Sequence, residues 1–299
     1  MLLTKEQKDQ FDRDGYLVIP DFFDPTKMRS QASQLLSDFD ISNHPLTKFT
    51  TGENQTSDEY FLTSGDKIRY FFEEGALSND NVLLTDKEKA INKIGHALHE
   101  LDPVFKEFST SEKVVDVARS LNYKDARVLQ SMLIFKVLIV TINFLGIQSI
   151  ILIFKQPDIG GEVTAHVDST FLYTNPTSAT GLWFALEDCT LENGCMWFVP
   201  GSHKKVPLLK RFIRNKTNDG TLNVKMNEGQ EPDDSEYIAA PVTSGSLVLI
   251  HGLVYHKSGA NHSKKSRWIY TFHMIDGSLE YPADNWLLPT PEMPFTKLF

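Results

Sequence analysis

The residues best suited to chemistry in this chain lie at 160–171, GGEVTAHVDSTF, around the triplet His166-Val167-Asp168. Side chains two apart on a β-strand share a face, so a His-x-Asp triplet offers an imidazole and a carboxylate side by side to one cavity. These are two legs of a metal tripod. Two histidines and one carboxylate fill half of an octahedral shell and leave the rest open, which suits iron(II) in an oxygenase better than the closed shell of a structural site. A His-x-Asp triplet also arises often by chance, so a third ligand decides the assignment. The chain has nine histidines, at 44, 96, 99, 166, 203, 251, 256, 262 and 273, most of them by default surface or satisfied core residues. The third ligand should sit on a late strand that folds back beside the first, which leaves His251, His256 and His273. The stretch VLIHGLVYHKSGANHSKKSRWIYTF favours His256: Ser258 follows it, a polar turn covers 259–263, and Arg267 opens an alternating strand. With the turn about midway between them, His256 and Arg267 return to the same region, and a guanidinium suits a bidentate grip on a carboxylate.

The elements that must position these residues are legible in outline. Thr4 with Gln7 three residues later reads as a capping box opening a short helix. YLVIP at 16–20 predicts the first strand, and Asp24-Pro25 reads as the N-cap and N1 pair of a second helix carrying Met28, Ala32, Leu35 and Leu36. The polar stretch 40–62 reads as a surface loop. Further helices are expected at 87–101 and 111–121, divided by Asp102-Pro103, with their apolar face on a sheet. From about 127 the texture changes to short runs with period-2 alternation: GLWFALED at 181–188, MWFVP at 196–200, SLVLIHG at 246–252 and RWIYTFHMI at 267–275. Short strands separated by turn signals imply a β-sandwich or jelly roll. The charged, weakly patterned segment 209–236 reads as a long surface loop over the cavity mouth.

One stretch departs from this plan. Residues 137–154, VLIVTINFLGIQSIILIF, form an uncharged apolar run approaching the length of a membrane span. A span is rejected, because it would separate the preceding strand from the His-x-Asp triplet by a bilayer. LIFK at 133–136 recurs at 152–155, a shift of 152 − 133 = 19 residues. Removing 19 residues leaves QSMLIFKQPDIGGEV, one strand running into the glycine turn. Residues 137–155 therefore read as an insertion outside the fold's plan, either a translated intron or an extra β-hairpin, which loop-closure entropy tolerates.

At 299 residues the chain reads as one catalytic domain with N-terminal elaboration. Lys+Arg of 30 against Asp+Glu of 39 gives a net charge of −9, which disfavours a nucleic-acid footprint and leaves small molecules as the expected partners. Cys189 and Cys195 cannot build a disulfide framework, MLLTKEQKDQ lacks the apolar core of a signal peptide, and the terminal TKLF does not match the S-K-L peroxisomal address. A reduced, cytoplasmic protein is expected, with no membrane and no nucleic acid among its partners.

Together the His-x-Asp triplet, the distal His256 and Arg267 eleven residues beyond it (267 − 256) resemble the iron(II) and 2-oxoglutarate oxygenases of the phytanoyl-CoA dioxygenase family. SGDKIRYFFEEG at 64–75, INKIGHALHELDPVF at 91–105, QPDIGGEVTAHVDSTFLYT at 156–174, LENGCMWFVPGSH at 191–203 and the NWLLPT segment near the end add to the likeness, which covers the chain except 137–155. The resemblance implies an α+β, β-dominated fold: a double-stranded β-helix (jelly roll) with N-terminal and flanking helices. It places a helical part at about 1–125 and the jelly-roll core at about 127–290. The family's iron ligands fall on His166, Asp168 and His256, and its 2-oxoglutarate contacts on Lys93, Met132, Trp183, Ser258 and Arg267. Without the family, Lys93 on its predicted helix is a solvated charge, and Met132 and Trp183 are core. Where the family usually has Gln between the metal His and Asp, this chain has Val167, which alternation turns away from the metal.

The implied cofactors are iron(II), 2-oxoglutarate as co-substrate and oxygen, with ascorbate as an accessory reductant. The implied products are succinate, carbon dioxide and a hydroxylated small molecule. Retention of Asp168 predicts hydroxylation over halogenation, since related halogenases replace the carboxylate to admit a halide. A non-catalytic 2-oxoglutarate sensor would use the same ligands, and a zinc hydrolase could use His, Asp and His but needs no arginine for a dicarboxylate.

Overall fold

The computed structural model describes residues 2–47, 59–73, 76–78, 82–136 and 161–299. Helix α1 (Lys5–Asp14) opens on the predicted capping box: Thr4 Oγ1 accepts from Gln7 N at 3.2 Å, and Gln7 Oε1 accepts from Thr4 N at 2.9 Å. Gly15 ends it at φ +80, a conformation that strains any side chain, and β1 (Tyr16–Ile19) follows at once. Helix α2 (Thr26–Asp38) begins one residue later than predicted. Pro25 holds the N-cap position, and the Asp24 carboxylate still accepts from Thr26 N at 2.9 Å.

The stretch 40–62 is not all loop. Ile41–Asn43 form a 3-10 turn and Glu59–Leu62 a short helix, α3, while 48–58 lie outside the described residues. After β2 (Ile68–Phe72), the helix expected at 87–101 is replaced by three elements: α4 (Lys87–Ala90), β3 (Ile91–His96) and α5 (Leu98–Leu101). β-Branched Ile91 and Ile94 and the neighbouring Gly95 are weak helix formers, and pairing of this segment between β2 and the later strand at 126–136 buries all six of its residues. Asp102-Pro103 opens α6 (Pro103–Ser109), with Asp102 Oδ1 accepting from Val104 N at 2.9 Å. Helix α7 (Glu112–Ser120) forms within the predicted 111–121.

The remaining strands are β4 (Ala126–Lys136), β5 (Val163–His166), β6 (Thr180–Ala185), β7 (Met196–Phe198), β8 (Lys210–Arg214), β9 (Thr221–Lys225), β10 (Ile238–Ala240), β11 (Leu247–His251), β12 (His256–Ser258), β13 (Arg267–Asp276) and β14 (Thr296–Lys297), with a one-turn helix α8 (Ser202–Lys205) after β7. The major sheet has the order β1-β11-β6-β13-β4-β3-β2, with β14 also on β4; the minor sheet is β10-β7-β12-β5. Pairings among the described strands are antiparallel. This is a jelly roll. The first 125 residues are not helical throughout, because β1, β2 and β3 from that part complete both edges of the major sheet.

Alternation gives the major sheet two working faces. Outward, Phe135, Phe184, Tyr270 and Phe272 pack with Leu36, Phe105, Val114 and Val117 of the helices, each buried phenylalanine contributing about 2 kcal/mol. Inward, Trp183, Ala185, Val248, Ile250 and Ile269 pack on Met196, Phe198, Ala240 and Val242, and the minor sheet closes over them.

The segment 209–236 is not one loop but holds the β8–β9 hairpin. Some of the charges that made it read as solvated are structural ties: Arg211 Nη2 donates to Asp284 Oδ1 at 2.6 Å, and Arg214 Nη2 to the Leu62 carbonyl at 2.7 Å. No helix among the described residues is long and apolar enough to cross a membrane. The expected insertion at 137–155 lies outside the described residues.

Candidate metal centre

His166 ends β5 and His256 begins β12, and the two are register partners, which puts their rings on one face with centroids 4.2 Å apart. Asp168 lies just past the strand, at the head of a 3-10 turn (Asp168–Thr170). Val167 keeps extended dihedrals (φ −125, ψ 138), so alternation carries through it and returns Asp168 to the side of His166. Val167 itself packs the other way, among Val199, Leu208, Tyr237 and Tyr255.

The three residues offer ligand atoms all within 4.8 Å of one another. Asp168 Oδ1 lies 3.7 Å from His166 Nε2 and 3.6 Å from His256 Nε2. The tautomers follow from the other ring nitrogens. His166 Nδ1 lies 2.8 Å from the Thr164 carbonyl and His256 Nδ1 3.0 Å from the Val254 carbonyl. A carbonyl only accepts, so each Nδ1 carries the proton and each Nε2 keeps its lone pair for the centre.

Burial, reinforced by the neighbouring His256, pushes His166 down to about 4 and keeps it neutral at physiological pH. Burial alone would raise the Asp168 carboxyl, but His273 and His256 outweigh it and hold the group well below the usual carboxylate range. Two imidazole Nε2 atoms and one carboxylate make a donor set that fits iron(II) with coordination positions to spare.

The inner face of the major sheet stands opposite. One register line across it reads Gly95, Met132, Thr271, Trp183 and Val248, and the line through Lys93 carries Ile134, Ile269 and Ala185. Met132 and Ile134 are only half-buried in the middle of this face. Trp183 is 4% exposed, and its ring centroid lies 5.8 Å from Arg267 Cζ. Lys93 is equally sealed, on β3 rather than a helix, with Nζ 3.2 Å from His96 Nε2 and 4.8 Å from the Phe71 ring centroid; burial drives its ammonium well below the lysine range. Ser258, two residues past His256 on β12, accepts from Lys136 Nζ at 2.9 Å. Arg267 is fully buried and its Nε has no hydrogen-bond partner among the described residues. Met132, Trp183 and Arg267 therefore share the face opposite the triad, Lys93 joins them from one strand further on, and Ser258 bridges from the minor sheet.

Of the other third-ligand candidates, His251 lies away from the centre, its ring 4.7 Å from that of His203 and its Nδ1 accepting from Leu253 N. His273 is at the centre but behind Asp168, with Nε2 3.4 Å from Oδ2. Gly181, its register partner on β6, clears the space, since a Cβ there would lie 3.2 Å from Asp168 Oδ2. Sequence reasoning did not assign Gly181, Lys136 or the supporting place of His273. Lys136 stands at even spacing from Met132 on β4 and His273 at even spacing from Arg267 on β13, a signal that period-2 counting could have used.

Fold and site together define a jelly-roll protein with a His-Asp-His centre between its sheets. The chain belongs to the phytanoyl-CoA dioxygenase (PhyH) family, whose sequence pattern matches residues 11–269. It is 43% identical over 310 aligned residues to phytanoyl-CoA dioxygenase domain-containing protein 1 of Bos taurus, covering 99% of each chain. In fold it is similar to the alpha ketoglutarate dependent epimerase SnoN from nogalamycin biosynthesis, at 16% identity and a TM-score of 0.62 over 99% of this chain and 98% of that one. SnoN has also been solved with Fe3+, alpha ketoglutarate and nogalamycin RO, at a TM-score of 0.60 over the same shares of the two chains. EctD from S. alaskensis, solved with 2-oxoglutarate and 5-hydroxyectoine, is 18% identical with a TM-score of 0.56, over 97% of this chain and 88% of that one.

Proposed function

We propose that the chain, as one domain across residues 1–299, is an iron(II)- and 2-oxoglutarate-dependent dioxygenase that converts 2-oxoglutarate and oxygen to succinate and carbon dioxide and hydroxylates a small molecule. His166 and His256 would hold the iron through Nε2 and Asp168 through Oδ1. Bound iron supplies the oxygen chemistry, and the protein supplies ligation, orientation and a dry cavity. Arg267 and Ser258 take the far carboxylate of the co-substrate, with Lys93, Met132 and Trp183 as its remaining contacts. The carboxylate of Asp168 occupies the position a halide would need, which favours hydroxylation over halogenation.

The observation that carries the reading is Arg267. A guanidinium 1% exposed, whose Nε has no partner among the described residues, stands on the inner face of the major sheet, across from the His-Asp-His cluster. A buried guanidinium N–H without an acceptor is costly, and a carboxylate is the ligand that relieves it in bidentate fashion. The SnoN and EctD complexes, which hold alpha ketoglutarate or 2-oxoglutarate, support the same choice of co-substrate.

The test is succinate release from 2-oxoglutarate by purified protein with iron(II), oxygen and ascorbate. Asp168→Ala should abolish it, and retained iron-dependent turnover in that variant would contradict the assignment. Binding of 2-oxoglutarate by the wild type without any succinate would instead identify a sensor.

A further inference from the structure

Lys136 closes β4 and is the register partner of Arg267 on β13. Directly opposed residues share a face, so the fold sets two cations side by side. Both are sealed from solvent, Lys136 at 0% and Arg267 at 1% exposure. Such neighbours lose their hydration and repel each other. Burial first, and Arg267 second, work against the Lys136 ammonium, and an anion held beside the pair is what restores it.

The hydrogen bonds of Lys136 have a direction. An ammonium has three donors and no acceptor. Lys136 Nζ donates to Ser258 Oγ at 2.9 Å, to the Ser258 carbonyl at 3.3 Å and to the Gly259 carbonyl at 2.5 Å. Ser258 Oγ must therefore accept from Lys136, and its own proton is left to donate elsewhere. Among the described residues no acceptor takes it. Through Lys136 that donor stands next to Arg267, whose Nε has no partner among the described residues.

We propose that Lys136 is a positioning residue for the co-substrate: it fixes Ser258 as a donor and sets a second positive charge beside Arg267, so that the pocket selects a dicarboxylic 2-oxo acid over a monocarboxylic one. The inference rests on the co-substrate reading above, and deepens it.

The test is calorimetric binding to iron(II)-loaded protein without oxygen, using 2-oxoglutarate and 2-oxobutyrate, which lacks the far carboxylate. Wild type, Lys136→Met, Ser258→Ala and the double variant are compared. Lys136→Met should weaken 2-oxoglutarate binding about ten- to a hundredfold, as for loss of a charged hydrogen bond, and change 2-oxobutyrate binding by no more than about twofold. The double variant should bind 2-oxoglutarate within about threefold of Lys136→Met alone, because Lys136 acts through the hydroxyl. A lysine that merely ties β4 to the loop after β12 would weaken both acids alike, or add in full to Ser258→Ala, and either result overturns the inference. If Lys136→Met does not fold, Lys136→Gln, which keeps a donor without the charge, is read by the same selectivity. Wild type that binds neither acid overturns the co-substrate reading and this inference together. Wild type that binds 2-oxoglutarate, with Lys136 variants unchanged, overturns only the inference.

Discussion

Asp168 turns its two oxygens to different neighbours, with Oδ2 3.4 Å from His273 Nε2 while Oδ1 faces the Nε2 atoms of His166 and His256. His273 is oriented in turn by Gln130, whose Nε2 lies 3.4 Å from His273 Nδ1. An amide nitrogen only donates, so the His273 proton belongs on Nε2, toward the carboxylate. Such outer partners fix a ligand's rotation, and their loss typically weakens metal binding 10- to 100-fold. We expect His273→Leu to lower iron(II) affinity by about that factor in a metal titration. His273→Gln, which can still donate, should fall between. Equal affinity in wild type and His273→Leu would remove His273 from the centre.

Arg267 should separate metal binding from co-substrate binding. It stands on the major sheet, whereas His166 and His256 stand on the minor one and Asp168 in the turn just past it, so Arg267→Leu should leave iron(II) affinity unchanged. Removing one side of a buried charge pair costs at least about 2 kcal/mol, so 2-oxoglutarate binding should weaken by at least about 30-fold. Arg267→Lys should restore little, because an ammonium lacks the planar fork. Calorimetry on iron-loaded protein reads both effects, and full 2-oxoglutarate affinity in Arg267→Leu would sink the assigned grip.

The clustering of His166, Asp168 and His256 was legible in the sequence because its logic is local. Period-2 alternation pairs His166 with Asp168, and it survives the end of β5 because Val167 stays extended. The turn between His256 and Arg267 brought the third ligand within reach. Lys93 was misplaced on a helix because the pairing that makes 91–96 a strand comes from β2 and β4, far away in sequence. The same limit hid Lys136 and the role of His273. Their spacing was visible, but which face of β4 and β13 turns inward depends on a strand order that no local window contains. The β8–β9 hairpin was lost among charges whose partners, Asp284 and the Leu62 carbonyl, also lie far along the chain.

Gly181 should be intolerant for the sake of Asp168 rather than its own backbone. A Cβ there would meet Asp168 Oδ2 at 3.2 Å, Ile250 Cβ at 3.4 Å and His273 Cδ2 at 3.5 Å. Alanine asks these neighbours to yield a few tenths of an ångström, whereas valine adds two methyl groups against the carboxylate. Gly181→Val is expected to destabilise the fold by about 1–3 kcal/mol and to weaken iron(II) binding more than Gly181→Ala does. Thermal melts and metal titrations on both variants check this, and a destabilised Gly181→Val with wild-type iron affinity would contradict it.

Acid should weaken the fold through buried histidines outside the metal centre. His99 on α5 is 1% exposed, with Nδ1 2.9 Å from Ser131 Oγ, and burial pushes it from the usual 6.5 down to about 4. Its folded-state pKa lies below its unfolded one, so protons favour the unfolded chain. The stabilisation is complete above pH 6.5, declines as pH falls and is gone below about 4. That shift corresponds to roughly 3 kcal/mol. His251, pushed down to about 4 by burial and then by His203, titrates across the same window. The melting temperature should therefore fall steadily between pH 6.5 and 4, and His99→Gln, which cannot titrate, should flatten part of that slope. A variant with the wild-type slope would assign the acid sensitivity to other groups, because a neutral amide at position 99 leaves no proton there to take up.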